Sequence, residues 1–284
     1  MKLTKLIERQ QFQGKLAIIC GGSKGIGKET AKFLVQMGAS TCLIARNQEE
    51  LSKTIQECHS LKKTKDQFIT SIACDTTDKD KLEPLINQFI SEHGVPDYLI
   101  NTVGYAYPKY IQDLTLLDFQ QNMHINYEGV LVPILILLPY FMKLKKGHII
   151  STSSMMGYFG IMGYATYSPT KFAIVGLSEV LRHELKPYNI NVSILYPPDT
   201  ETPGFEKENE IKPKECLILS ENAKLLSAAK VAENLIVGIV KNKFQILPGE
   251  AKLYNFLYRL IPKIFRTLSD NEYRQAIKKA KKIV

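Results

Sequence analysis

Ser154, Tyr167 and Lys171 stand in the pattern S-(12 residues)-Y-x-x-x-K. The serine follows a short apolar run, HIIST (148–152), with the composition of a strand. The tyrosine and lysine lie in TYSPTKFAIVGLSEVLRHEL, whose spacing predicts a helix beginning near Tyr164. Four positions make about one helical turn, so Tyr167 and Lys171 share a face. An ammonium beside a phenol favours the phenolate and is expected to lower its pKa from about 10. The tyrosine then serves as a proton donor or acceptor near neutral pH. A serine hydroxyl at the end of the adjoining strand can hydrogen-bond the same substrate oxygen. The predicted chemistry is interconversion of a carbonyl and an alcohol. Y-x-x-x-K recurs from Tyr105 to Lys109, but that copy contains Pro108, lacks the upstream serine and reads as a surface loop.

A second motif supplies what such chemistry needs. Cys20-Gly21-Gly22-Ser23-Lys24-Gly25-Ile26-Gly27 follows the strand-like LAIIC and precedes the helical run KETAKFLVQMG. Glycines there let the chain turn tightly and let backbone N–H groups approach a pyrophosphate at the positive end of a helix. The next strand, STCLIARN, ends at Arg46 and Asn47. Arg46 lies 21 residues after Gly25, near where an acid would hold the ribose 2′-hydroxyl of NAD. An arginine there, with Ser23 and Lys24 in the loop, suits a 2′-phosphate, so the expected cofactor is NADP(H).

These motifs must be carried by something, and the rest of the chain keeps one rhythm. Strand-like segments at 68–74, 97–101, 148–152, 191–196 and 244–247 alternate with helix-length runs near 48–63, 78–93, 115–145, 164–187 and 225–241. The expected fold is α/β: one Rossmann-type, doubly wound parallel sheet with helices on both faces. Ligands in such sheets bind beyond the carboxyl ends of the strands, where Asp75, Asn101, Gly104, Ser154 and Pro197 all fall. No repeat or linker divides the chain. The expected organisation is a catalytic domain at 1–250 with a basic amphipathic extension at 251–284.

With these residues in place, the chain resembles the short-chain dehydrogenases/reductases over about residues 14–250. The glycine loop is similar to that family's T-G-x-x-x-G-x-G, with Cys20 in the threonine position, and Asn101-Thr102-Val103-Gly104 is similar to its N-N-A-G. The resemblance implies that Ser154, Tyr167 and Lys171 are the catalytic serine, tyrosine and lysine. It implies that Asn126, in HINYEG, supports a proton relay through a water, and that Lys171 also holds the nicotinamide ribose. Asp75 resembles the residue that bonds the adenine amino group, and Thr200 and Thr202 those that meet the cofactor amide and phosphates. Within the family, YPPDTETPGF (196–205), the helix of Tyr167 and the stretches GGSKGIGK and ARN are similar to the branch of 3-ketodihydrosphingosine reductases. That branch implies reduction of a long-chain keto lipid, 3-ketosphinganine to sphinganine. Another short-chain reductase, acting on a steroid, retinoid or β-ketoacyl substrate, is the alternative. A non-catalytic NADP sensor would not need the intact serine, tyrosine and lysine. An acidic pair in the loop, Asp199 and Glu201, suggests contact with the substrate amine, or turn formation by Asp199.

Composition adds limits. No signal peptide is recognised, and the most apolar run, 130–142, contains Pro133 and Pro139 and reads as too short to span a bilayer. It reads instead as a buried or subunit-contact helix, in keeping with the family's dimers and tetramers. Five cysteines without C-x-x-C spacing suggest reduced thiols and a cytoplasmic setting. Five histidines form no ligand constellation, so no metal is expected. Net charge is +9, and residues 249–284 hold nine Lys or Arg against three acids. Leu253, Phe256, Leu257, Leu260, Ile261, Ile264, Phe265 and Leu268 form an apolar stripe there, flanked by Lys252, Arg259, Lys263 and Arg266. Such a helix fits a peripheral membrane contact or docking on the protein itself. No recognition motif accompanies the charge, so nucleic acid is not an expected partner.

Overall fold

The computed structural model describes residues 3–221 and 224–282. Apolar, β-branched runs build a seven-stranded parallel sheet from β1 (Leu16–Cys20), β2 (Ser40–Ala45), β3 (Ile69–Ala73), β4 (Tyr98–Asn101), β5 (Gly147–Thr152), β6 (Ile190–Leu195) and the two-residue β9 (Gln245–Ile246). The order is β3-β2-β1-β4-β5-β6-β9. The chain winds outward from β1 to β3 and then restarts at β4 on the other side of β1. This reversal opens a crevice at the carboxyl ends, where Cys20 pairs in register with both Ile44 and Asn101. A small parallel pair, β7 (Thr200–Glu201) with β8 (Leu226–Ser227), lies apart from the sheet.

Alternate strand residues feed two cores. Ile18, Ile44, Leu99 and Ile149 face α4 (Lys79–His93), α6 (Gly129–Leu144) and α7 (Tyr167–Glu184). Ala17, Ile19, Leu43, Ile100 and Ile150 face α2 (Gly25–Gln36), α3 (Gln48–His59) and α10 (Ala228–Val240). Near-continuous apolar strands are thus buried on both sides, as a parallel sheet requires. An element absent from the sequence reading, α1 (Leu3–Glu8), caps the second core through Leu6, while Phe12 stacks edge-on against Tyr98.

Two expectations need correction. α7 starts at Tyr167 rather than Tyr164, because residues 164–166 form a turn whose carbonyl at Tyr164 receives the N–H of Tyr167 and Ser168. The run at 115–145 is one helix: α5 (Leu116–Met123) continues into α6 through a π-helical turn, His124–Glu128. Residues 116–144 are therefore long and apolar enough to cross a membrane by length and composition, yet Val130, Ile134, Leu137 and Phe141 are core residues beneath the sheet. The C-terminal stripe breaks at Pro262 into α11 (Ala251–Leu260) and α12 (Pro262–Ala280), since proline cannot extend the first helix. One side of this pair docks: Tyr254, Leu257, Tyr258 and Phe265 pack with Tyr158, Phe159 and Tyr196. α12 also packs on α9 (Lys214–Ser220), which follows α8 (Pro203–Ile211).

Candidate active site

Above the carboxyl ends of the strands lies one cavity of about 1230 Å³. Its polar end begins at the glycine loop. Gly21 and Gly25 have φ of +80° and +53°, and a Cβ on Gly27 would stand 2.3 Å from the Gly21 carbonyl oxygen. Thr102 donates to the Cys20 carbonyl at 2.8 Å, stitching β4 to β1, and it leaves no room for side chains at Gly21 or Gly27. Lys24 precedes α2 without capping it, so the first N–H groups of that helix are free to meet an anion. The cradle fits a pyrophosphate.

Arg46 extends from the end of β2, 71% exposed, with its guanidinium 3.9 Å from the Asp75 carboxylate. Lys24 pairs loosely with Glu50 at 3.5 Å. Both cations line the cavity and are available to a phosphate. Asn47 lines it too, but its side-chain oxygen caps α3 by accepting from Glu50 N–H. Asp75 accepts from the Thr77 N–H and hydroxyl on one oxygen, which leaves the other facing Arg46. Pro197, Thr200 and Thr202 form the opposite wall. The Thr200 hydroxyl donates to the Pro198 carbonyl, and Thr202 caps α8 by accepting from Phe205 N–H.

Three of the expected residues stand behind the wall instead of in it. Gly22 is buried against Leu43, where a Cβ would meet it at 3.1 Å. Asn101 is wholly buried, with neither side-chain polar atom bonded among the described residues. Asn126 is also buried. Its amide donates to the Tyr105 carbonyl at 2.9 Å, and its oxygen accepts from the Tyr105 N–H at 2.9 Å. It pins the loop carrying Gly104, and the π-helical turn aims it there. A Cβ on Gly104 would sit 3.1 Å from Lys171 Nζ and 3.2 Å from Asn126 Oδ1, so these two groups flank one small gap.

The middle of the cavity holds Ser154, Tyr167 and Lys171. Lys171 is 2% exposed; its ammonium donates to the Thr152 carbonyl at 3.1 Å and lies 5.4 Å from the Tyr167 ring centre. The neighbouring Ser153 is engaged elsewhere: its hydroxyl donates to the Lys171 carbonyl at 2.9 Å, locking strand to helix. Ser154 keeps its hydroxyl on the cavity side, where it accepts from Met156 N–H.

Burial reverses the expected ionisation. It pushes the Tyr167 phenol up, aided by the negative charges of Glu208 and Asp199 and opposed by the Ser154 hydroxyl. The same desolvation lowers Lys171 to about 7. The protein walls therefore keep Tyr167 protonated, the form that can donate to an incoming carbonyl oxygen.

Beyond Tyr167 the cavity turns apolar and aromatic, lined by Phe159, Tyr254, Leu257 and Phe265 under the C-terminal helices. Sequence reasoning missed this chamber, along with Tyr164 and Glu208, whose side chains are hydrogen-bonded at 2.6 Å in its wall. The available signal was Thr202-Pro203, a cap followed by a first-turn proline, which marks the start of α8. Glu201, by contrast, is exposed and stands outside the cavity.

This combination of parallel sheet, glycine cradle and serine–tyrosine–lysine set has a family. A model of the short chain dehydrogenases matches residues 15–213, and the chain belongs to that family; the protein is an oxidoreductase that works with a nicotinamide cofactor. It is 37% identical to the 3-ketodihydrosphingosine reductase of Dictyostelium discoideum, over 83% of this chain and 75% of that one. It is 35% identical to the 3-ketodihydrosphingosine reductase of Bos taurus, over 81% and 70%. Among solved structures, levodione reductase shares the fold with a TM-score of 0.77 at 20% identity, covering 86% of this chain and 99% of that one.

Proposed function

We propose that the protein reduces the ketone of a long-chain lipid, 3-ketosphinganine to sphinganine, using NADPH. The carrying observation is a single cavity that joins a pyrophosphate cradle to an apolar chamber, with Ser154, Tyr167 and Lys171 at the junction. When bound, the dinucleotide supplies the hydride. Ser154 orients the substrate oxygen. Tyr167, held protonated by burial, delivers its proton to that oxygen as negative charge develops there. Lys171 titrates near neutrality and returns a proton towards Tyr167, and Asn126 positions a water beside it across the gap at Gly104. Arg46 and Lys24 would hold a 2′-phosphate, Asp75 the adenine amino group, and Thr200 and Thr202 the cofactor amide and phosphates. The relatives named as 3-ketodihydrosphingosine reductases support this substrate over a steroid, retinoid or β-ketoacyl group.

In this reading residues 1–250 form the catalytic domain, and the extension at 251–284 faces the lipid. Leu253, Phe256, Leu260, Ile264 and Leu268 are exposed beside Lys252, Arg259, Lys263 and Arg266, and Leu253 and Leu268 border the cavity. An apolar face rimmed by cations suits peripheral contact with an anionic, cytoplasmic membrane leaflet. Exposed Leu116, Leu117, Phe172 and Val180, on the neighbouring α5 and α7, support a homo-oligomer, a dimer or tetramer. The deciding experiment is NADPH oxidation by the pure protein against 3-ketosphinganine and a panel of other ketones. Tyr167→Phe should lower turnover by roughly a hundredfold or more, the usual share of a positioned acid, while NADPH binding persists. Turnover near wild type in that variant would overturn the assignment.

A further inference from the structure

Two carboxylates in the cavity wall have no part in the chemistry described above. Glu208 sits on α8, and one of its oxygens, Oε1, is doubly held. The Tyr164 hydroxyl donates to it at 2.6 Å, and Lys212 Nζ lies 3.2 Å away. Lys212 approaches from behind the wall; its side chain is 0% exposed and its ammonium packs 4.2 Å from the centre of the Phe205 ring. The second Glu208 oxygen has no partner among the described residues. Asp199 also lines the cavity, and its carboxylate makes no hydrogen bond or ion pair among the described residues. Two acids against one ammonium leave net negative charge facing the catalytic phenol.

Placement is specific. Tyr164 stands three residues before Tyr167 with ring centres 6.1 Å apart, and the Glu208 bonded to it lies close enough for its charge to raise the Tyr167 phenol. A carboxylate in a largely desolvated wall is costly unless a cation meets it. We infer that Glu208, assisted by Asp199, binds the protonated amine of an α-amino ketone whose carbonyl oxygen lies at Tyr167. This rests on the substrate reading above and deepens it. In an α-amino ketone the nitrogen is attached to the carbon next to the carbonyl, so its binding group must flank the proton donor, as Glu208 does. Burial raises both carboxyl groups, and they in turn hold Tyr167 up. A bound ammonium offsets their charge and eases the phenol towards release of its proton as the alkoxide forms. The site thus becomes reactive when the amine is in place.

A purely structural Glu208, tying α8 to Tyr164, predicts something different, and two substrates separate the readings. Measure kcat/KM with NADPH for 3-ketosphinganine and for the same ketone lacking the amine, using wild type, Glu208→Gln and Asp199→Asn. Glutamine keeps an oxygen for Tyr164 and removes the charge. Wild type should favour the amino ketone. Glu208→Gln should lower kcat/KM for the amino ketone at least about tenfold, as expected for one lost charge-assisted hydrogen bond, and should not lower it for the amine-free ketone, for which loss of the negative charge beside Tyr167 eases proton release. Asp199→Asn should shift the preference in the same direction by less. A preference retained in both variants, or an equal loss on both substrates, overturns the amine site and leaves the reductase reading standing. A wild-type enzyme that reduces other ketones but not 3-ketosphinganine overturns both.

Discussion

His148 provides a quantitative test of how tightly the sheet excludes water. It lies on β5, 4% exposed, and its Nε2 is 2.7 Å from the Ser193 hydroxyl. That hydroxyl donates its own hydrogen to the Lys243 carbonyl at 2.7 Å, so Nε2 is the nitrogen that carries a proton in the neutral ring. Burial lowers the histidine to about 4, against about 6.5 in the unfolded chain. The unfolded state therefore binds a proton that the folded state refuses, and stability falls as pH drops from 6.5 towards 4. Linkage gives a loss of roughly 2 kcal/mol at pH 5 and about 3 kcal/mol at pH 4, with almost none at pH 7. His148→Gln retains an N–H for Ser193 and cannot titrate. Urea unfolding at pH 7 and pH 5 should show wild type losing about 2 kcal/mol more than the variant over that interval. Parallel losses would refute the argument, because the imidazole would then be reaching solvent or an acceptor in the folded state.

Arg46→Asp removes the exposed cation and sets an acid where NAD would present its ribose hydroxyl. The NADPH-over-NADH ratio of kcat/KM should fall at least about tenfold; an unmoved ratio would place phosphate recognition elsewhere. Phe256→Ser and Leu260→Ser change only exposed side chains on α11, leaving the docked aromatic side intact. They should weaken co-sedimentation with anionic vesicles while activity on a detergent-dispersed ketone persists. Equal sedimentation of variant and wild type would count against the membrane face.

Features written in local spacing were legible from the chain alone. The turn between Tyr167 and Lys171, the glycine loop between strand and helix, and the alternation behind the sheet all depend on residues close in sequence. What escaped depends on distant partners. Nothing near Asn101 or Gly22 announces that they face the sheet rather than the cavity. The pairing of Tyr164 with Glu208, 44 positions on, exists only once α8 folds back across the site. Phe159 likewise acquires its role from Phe265, with ring centres 4.9 Å apart. The ionisation of Tyr167 departs from the local expectation for a related reason. Spacing revealed the neighbouring charge, whereas desolvation is a property of the whole packed wall and proved the larger effect.

The docking of α11 and α12 also has a meaning in time. Every strand of the sheet and every residue of the dinucleotide cradle is made before these helices leave the ribosome. During synthesis the polar half of the cavity can close over its cofactor while Tyr158, Phe159 and Tyr196 still lie bare. Such a nascent intermediate offers an aromatic surface to chaperones or to aggregation. The same order makes the helices over the apolar chamber separable in evolution and in engineering. Their length and exposed face can vary without disturbing the cradle.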